Sequence, residues 1–236
     1  EGKILVDGTP IGKNIRAFRR KLGFLPQNTK LMPELNIVEF LEYMCILKGI
    51  KKKETIHSEI ERLLVISGLS GERKKKLKAY SGGMLRRAGI AQALIGDPKI
   101  LIVDEPTTGL DPEERLYFIN LISRIGSEKT VILSTHITHD IESVCQNVCF
   151  LEKGIVKYSG KTKEAVKSVE NSVWSVQIQP CEEAKIREKA ILTRETYEEG
   201  KLTVRYIANE SIYENSVNVK ATLEDAFIFS VGGISR

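Results

Sequence analysis

Asp104 and Glu105 emerge directly from an uninterrupted apolar run, Ile100-Leu101-Ile102-Val103. Such a run reads as a strand of a parallel sheet covered on both faces. Ligands of open α/β sheets bind outside the carboxyl ends of these strands. Asp104 suits a magnesium ion there, directly or through water. Glu105 is placed to take a proton from an attacking water. The same pair, taken alone, is equally a plain strand end. His136 ends the next apolar run, Val131-Ile132-Leu133-Ser134-Thr135-His136. Neighbouring parallel strands bring it to the edge that holds Glu105, where a neutral imidazole can contact a terminal phosphate and orient the water. Gln27 follows a further short strand, Leu22-Gly23-Phe24-Leu25, in Pro26-Gln27-Asn28, and its amide can touch both magnesium and the water. His139, one turn into the next helix, and His57, in a charged helix, read as surface residues.

A second kind of chemistry sits at Tyr80-Ser81-Gly82-Gly83-Met84. Ser81 can cap a helix running to about Leu94, and the glycines let a ligand approach the backbone. A helix N-terminus with free amides and a hydroxyl is a ready anion site; Ser-Gly-Gly by itself is also an ordinary loop. Met84, Ala88, Ala91 and Ile95 supply the helix's buried face, with Arg86 and Arg87 pointing away from it.

The elements that must position these groups follow from periodicity. Residues 3–7 alternate and meet a turn at Gly8-Thr9-Pro10, giving a half-exposed antiparallel hairpin. Residues 36–96 are mostly helical: Ile37, Phe40, Leu41, Met44 and Leu47 recur at helical spacing, then Ile60, Leu63, Leu64 and Ile66, ending at Gly68. Asp111 and Pro112 start a helix as cap and first residue. Its apolar stripe is Leu116, Ile119, Ile122 and Ile125, and Gly126 stops it. Strand, helix and strand in that order make the sheet parallel. A helix at about 138–145, strands at about 147–151 and 155–158, strands at Val173–Ile178 and Lys201–Tyr206 after a Glu198-Glu199-Gly200 turn, and a helix at Leu223–Phe229 complete the pattern.

Composition sets outer limits. The 236 residues, 42% hydrophobic and 28% charged, are ordinary for a globular protein and long enough to bury a core without metal or disulfide. Four cysteines form no C-x-x-C pair and read as thiols of a reducing compartment. No apolar run is long enough to cross a bilayer. The net charge of +5 gathers at Lys51-Lys52-Lys53 and at Arg73 to Lys76 with Lys78. It reads first as a solvated face and second as a surface near an anionic leaflet. Nucleic-acid binding is not expected, because no aromatics interleave with these clusters.

Together these motifs resemble the ATP-binding-cassette (ABC) family over residues 1–160. Ser81-Gly82-Gly83 is similar to its signature loop, Ile100–Glu105 to its Walker B strand, Gly109-Leu110-Asp111 to its D-loop, His136 to its switch histidine and Gln27 to its Q-loop, in the family's order. The resemblance implies an α/β, P-loop NTPase-like cassette at 1–160. That cassette has a parallel sheet, an antiparallel β edge and a helical insert at about 30–96, and a small α+β extension follows at 161–236. It implies ATP and Mg2+ as cofactors. Glu105, His136 and Gln27 are catalytic, Asp104 and Gln27 serve the metal, and Ser81, Gly82, Gly83 and Asp111 serve the nucleotide. The implied partners are a second ATPase subunit, closed head-to-tail around two ATP molecules, and an integral membrane transporter subunit. The place is the cytoplasmic, inner face of the cell membrane.

Tyr80 and Met84 stand where the family usually has Leu and Gln, a form similar to exporter-type ATPases encoded apart from their membrane subunit. A soluble ABC ATPase acting on ribosomes or DNA is the alternative. No G-x-x-x-x-G-K-[ST] phosphate loop occurs in the chain. Gly8 to Asn14 only imitates one, with three residues between its glycines and Asn after Lys13. The opening at Glu1, inside an apparent strand and without Met, suggests a truncated sequence, so the chain as given is expected to be nearly inactive. Met32, Pro33, Leu35 and Phe40, just after Gln27, are expected to seat a helix of the membrane subunit.

Overall fold

The computed structural model describes residues 2–13, 15–198 and 200–232. The expectations that touch Glu1, Asn14 and Glu199 lie outside the described residues. The chain divides into two compact units, Glu1–His136 and Ile137–Arg236.

The first unit opens with the hairpin β1 (Leu5–Val6) and β2 (Thr9–Pro10). Its turn lies one residue earlier than the sequence suggests, on Asp7 and Gly8. Both take positive φ (49° and 73°), as tight hairpins require. Then come α1 (Ile15–Lys21), β3 (Leu22–Leu25), α2 (Ile37–Leu47), α3 (Lys53–Ser67), α4 (Gly82–Ala93), β4 (Ile100–Asp104), α5 (Pro112–Gly126) and β5 (Thr130–Ser134). Asn36 caps α2 through a reciprocal pair of hydrogen bonds with Glu39, and Gly68 ends α3 in the left-handed conformation. The strands form one parallel sheet ordered β3-β4-β5.

The helices of the insert and α5 share a core with one face of this sheet, where Leu25, Leu101 and Val103 are fully buried. Two glycines let α4 lie almost against β3. A Cβ on Gly23 would come 2.3 Å from the Ala93 carbonyl oxygen, and one on Gly89 would come 2.7 Å from Leu25. The expectation of a strand covered on both faces is corrected. Phe24, Ile102 and Ile132 are register neighbours on the other face, and Phe24 and Ile132 are 51% and 54% exposed. A continuous apolar run signals an apolar strand but does not count the faces that are packed. In α5 the buried stripe is Phe118, Ile119, Leu121, Ile122 and Ile125, while Leu116 faces solvent. Phe40 lies in the core and so offers no seat to a partner, whereas Met32 and Pro33 are exposed. Much of the basic cluster after Gly71 is neutralised at the surface: Arg73 pairs with Glu61, Lys75 with Glu72, and Lys76 and Lys78 with Glu34.

The second unit contains α6 (Thr138–Glu142), the hairpin β6 (Asn147–Glu152) and β7 (Ile155–Lys161), α7 (Thr162–Lys167), β8 (Val173–Ile178), α8 (Glu183–Lys189), β9 (Ile191–Glu198), β10 (Lys201–Ile207), β11 (Val217–Asn218) and α9 (Leu223–Gly232). Four of its strands form an antiparallel sheet ordered β11-β8-β10-β9. Val148 and Phe150 of β6 share a core with Val169, Leu223 and Ala226, so this unit takes in the β6–β7 hairpin. Helix α9 is tied to β10 by a two-pronged pair: Arg205 donates to both oxygens of Asp225 at 3.1 and 2.6 Å. Thr222 donates to the same carboxylate through its amide and its hydroxyl.

Burial works to raise the Asp225 pKa, but the hydrogen bonds of Arg205 and Thr222 outweigh it and hold the carboxyl below its usual value. A depressed folded pKa stabilises above the unfolded pKa, about 3.9 for aspartate, and that stability is lost as pH falls through the folded value. Asp225→Asn should therefore destabilise this unit at pH 7 by about 3 kcal/mol, because it leaves a partly buried Arg205 without its counter-charge. Urea unfolding of the chain and the variant across pH 7 to 2 checks this: the gap should close only toward the acid end.

Candidate functional site

Glu105 is the residue immediately beyond β4, and its backbone is unusual: φ is +43°, a left-handed conformation that costs a non-glycine residue about 1–3 kcal/mol. It is held from both sides. Its N–H donates to the Ser134 carbonyl at 2.9 Å, and its own carbonyl accepts from Arg86 Nη2 at 2.9 Å. The kink turns the carboxylate across to β5. Glu105 Oε1 accepts from the His136 backbone N–H at 3.1 Å and lies 2.8 Å from His136 Nδ1. Thr108 Oγ1 donates to Oε2 at 3.1 Å. An ionised Glu105 requires the His136 tautomer with its proton on Nδ1. The imidazole is 70% exposed while the carboxylate side chain is only 20% exposed, so the ring offers its far nitrogen outward. Asp104, the last residue of β4, receives the Ser134 hydroxyl.

Strand β5 ends at Ser134, two residues before His136, which stands in a bend rather than in the strand. His57 and His139 are exposed, as expected. Gln27 also has an exposed side chain, and its loop is fixed by its backbone. The carbonyls of Pro26 and Gln27 both accept from Arg86 Nη1.

Arg86 itself corrects the sequence expectation. It does not point away from the buried face but is 8% exposed, with its guanidinium between the Gln27 loop and Glu105. Gly83, Arg86, Gly89, Ile90 and Ala93 are all buried on α4, a stripe at three- and four-residue spacing that was open to view. Arginine is seldom buried, so the residue type itself points the other way. Thr108 and Ser134 gave no comparable signal. The neighbouring Arg87 turns to α5, pairing with Glu114 at 3.1 Å and lying over the Tyr117 ring.

Ser81 caps α4 by accepting from the Met84 N–H at 3.2 Å, and Ser81 and Gly82 are exposed. The adjacent glycines differ. A Cβ on Gly82 would meet open space, whereas one on Gly83 would lie 2.3 Å from the Glu114 carboxyl carbon. Gly83 is thus used for packing α4 against α5. Tyr80 is buried, its hydroxyl donates to the Glu72 carbonyl, and burial pushes its pKa up to about 12. Asp111 caps α5 by accepting from the Glu114 N–H at 2.9 Å. The glycine-lysine stretch at Gly8 and Gly12 falls in the β1–β2 turn and a short 3-10 helix after β2, not after a buried strand.

The ends of adjacent parallel strands thus gather a carboxylate pair and an imidazole, with the Gln27 loop joined to Glu105 through Arg86, at the sheet edge where α/β folds bind ligands. Residues 1–108 match the ABC transporter family. The chain is 36% identical over 177 residues to ABC transporter A family member 1 of Dictyostelium discoideum, covering 75% of this chain and 20% of that protein. It is 32% identical over 179 residues to an uncharacterized ABC transporter ATP-binding protein of Bacillus subtilis, covering 76% and 60%. It is 34% identical over 168 residues to Nod factor export ATP-binding protein I of Cupriavidus metallidurans, covering 71% and 55%. Residues 1–108 thus carry an ABC transporter domain, and the chain spans from a fifth to three fifths of the length of these relatives.

Gly83→Ala should destabilise the first unit by about 1 kcal/mol, the low end of overpacking, because the Glu114 side chain that it meets can swing aside at the expense of its pair with Arg87, while Gly82→Ala should be nearly neutral. Denaturant titration of both variants checks this. Gly83→Ala combined with Glu114→Ala should cost less than the two single changes added together.

Proposed function

We propose that the chain carries the catalytic half of an ATPase subunit that drives a membrane transporter of the exporter type, its cassette at 1–160 and an accessory extension at 161–236. The observation that carries this reading is the Glu105–His136 pair at the ends of adjacent parallel strands, with Oε1 2.8 Å from Nδ1. In the proposed reaction the oxygen of a water attacks the γ-phosphorus of ATP. A new P–O bond forms and the bond to the β-γ bridging oxygen breaks, releasing ADP and phosphate. Glu105 accepts the proton of the water; a carboxylate has about four lone-pair sites, enough to do so beside its bonds from His136 and Thr108. His136 orients Glu105 through Nδ1, and its other ring nitrogen reaches the terminal phosphate as a donor only in the doubly protonated ring. Gln27 positions the water.

The donor set suits magnesium, which takes one or two carboxylates together with substrate phosphates and water. Asp104, its carboxylate already steadied by Ser134, and the Gln27 amide oxygen supply the hard oxygen ligands. When bound, the ion neutralises charge on the β- and γ-phosphates. Ser81, Gly82 and Gly83 offer the N-terminal end of α4 to the phosphate of an ATP held by a second subunit in a head-to-tail dimer. Asp111 lies at that same boundary. No described helix is long and apolar enough to cross a membrane. The exposed Met32, Tyr43, Ile46 and Leu47 of the insert are the surface assigned to an integral partner subunit at the inner face of the membrane. The exporter assignment is supported by the similarity to proteins named for Nod factor export.

In the full-length gene product, Glu105→Gln should leave ATP binding nearly intact and slow hydrolysis by on the order of 10²–10⁴-fold. His136→Ala should act in the same direction. Single-turnover ATPase assays beside nucleotide binding check both; a Glu105→Gln enzyme that keeps more than about a third of the rate refutes the general-base role. The 236-residue chain alone should show only background hydrolysis, because nothing in it replaces the backbone amides and lysine of a phosphate loop. Turnover that disappears in Glu105→Gln would overturn that expectation. Co-purification of the full-length product with an integral membrane protein, rather than with ribosomes or DNA, tests the transporter assignment.

A further inference from the structure

Arg86 poses a physical problem that its surroundings answer. An arginine is almost never buried without a paired charge, yet the acceptors of its guanidinium here are backbone carbonyls: Pro26, Gln27 and Glu105. Burial lowers its pKa, and the charge of Asp104 works against that shift. A guanidinium is planar and holds its donors in a fixed fork, so whatever it binds is held at a set separation. The three carbonyls belong to two segments far apart in sequence, the Gln27 loop and the end of β4. The first follows β3 directly, and the second contains the strained Glu105.

The Glu105 strain gives this arrangement its purpose. A left-handed backbone persists in a non-glycine residue only where its surroundings over-determine it. The peptide groups flanking the Glu105 side chain are tied to different elements, the N–H to β5 through Ser134 and the carbonyl to α4 through Arg86. Without the second tie the Glu105 carbonyl loses its Arg86 donor, and only the bond of its N–H to Ser134 and its side-chain bonds to His136 and Thr108 resist relaxation to negative φ. That relaxation swings the carboxylate away from His136. The same guanidinium sets where the Gln27 loop lies relative to Glu105.

We propose that Arg86 is a positioning residue for hydrolysis: it clamps the Glu105 backbone in its left-handed conformation and fixes the Gln27 loop beside it. The proposal rests on the ATPase reading for its kinetic consequence, but its structural half stands without that reading.

Two measurements test it. In the full-length gene product, Arg86→Met should lower kcat by on the order of tenfold to a hundredfold, the scale of a misplaced catalytic group. Nucleotide affinity should stay within about threefold, since the lost interaction bears on the chemical step. Arg86→Lys should fall between, because the donors of an ammonium radiate from one nitrogen and lack the span of the planar fork. In the 236-residue chain, the strong intraresidue HN–Hα NOE of Glu105, the mark of positive φ, should weaken in Arg86→Met. A folded Arg86→Met with kcat within about twofold of the parent and an unchanged NOE overturns the proposal. If that variant does not fold, the same result in Arg86→Lys does so. A lowered Tm with unchanged kcat marks a merely structural arginine and also overturns it. If Glu105→Gln does not slow hydrolysis, the ATPase reading fails instead, and the NOE still decides the clamp.

Discussion

Everything at the candidate site depends on how closely α4 approaches β3. Gly23 and Gly89 remove the side chains that would hold the two backbones apart, to the point that a single methyl at Gly23 would collide with a helix carbonyl. Helix packing against a sheet normally leaves room for a layer of side chains. Here that layer is reduced locally, so the guanidinium of Arg86 arrives at carbonyl distance from the loop that follows β3. The glycines are therefore part of the site although they touch none of its reacting groups.

That approach also explains why a strained residue survives at the strand end. Strand β5 lies in register with β4, and its Ser134 meets both the Asp104 carboxylate and the Glu105 amide. The sheet thus fixes one side of the kink and the helix the other. The insert and the sheet are consequently joined through the same few atoms that orient the carboxylate. The last unit of the chain is organised on different terms, around its own antiparallel sheet and the Arg205–Asp225 tie.

The motifs and most elements were legible in sequence because they rest on local signals: caps at Ser81 and Asp111, a left-handed stop at Gly68, apolar runs at the strands. The alignment of Asp104, Glu105 and His136 was legible too, since parallel neighbours share an edge. What escaped was decided by tertiary contact. Arg86 reads as a surface residue until backbone carbonyls are seen to surround it. The bare side of the sheet at Phe24 and Ile132 is invisible in an apolar run, and the closeness of Glu114 to Gly83 has no mark in the sequence. In the second unit, β9 and α8 were missed because their residues carry the charge and irregular alternation of an edge strand and a short solvent-facing helix.

The contrast between the two neighbouring glycines bears on how genetic lesions in this loop are interpreted. Side chains introduced at Gly82 project into open space, in front of the helix terminus, and leave the packing of the molecule as it is. Side chains introduced at Gly83 press inward on Glu114, and through it disturb the anchor of Arg87 on α5. A loss of function would look the same in either case, but a lesion at Gly82 acts at an open surface while one at Gly83 displaces a side chain inside the molecule, and only a measure of how much folded protein remains tells them apart.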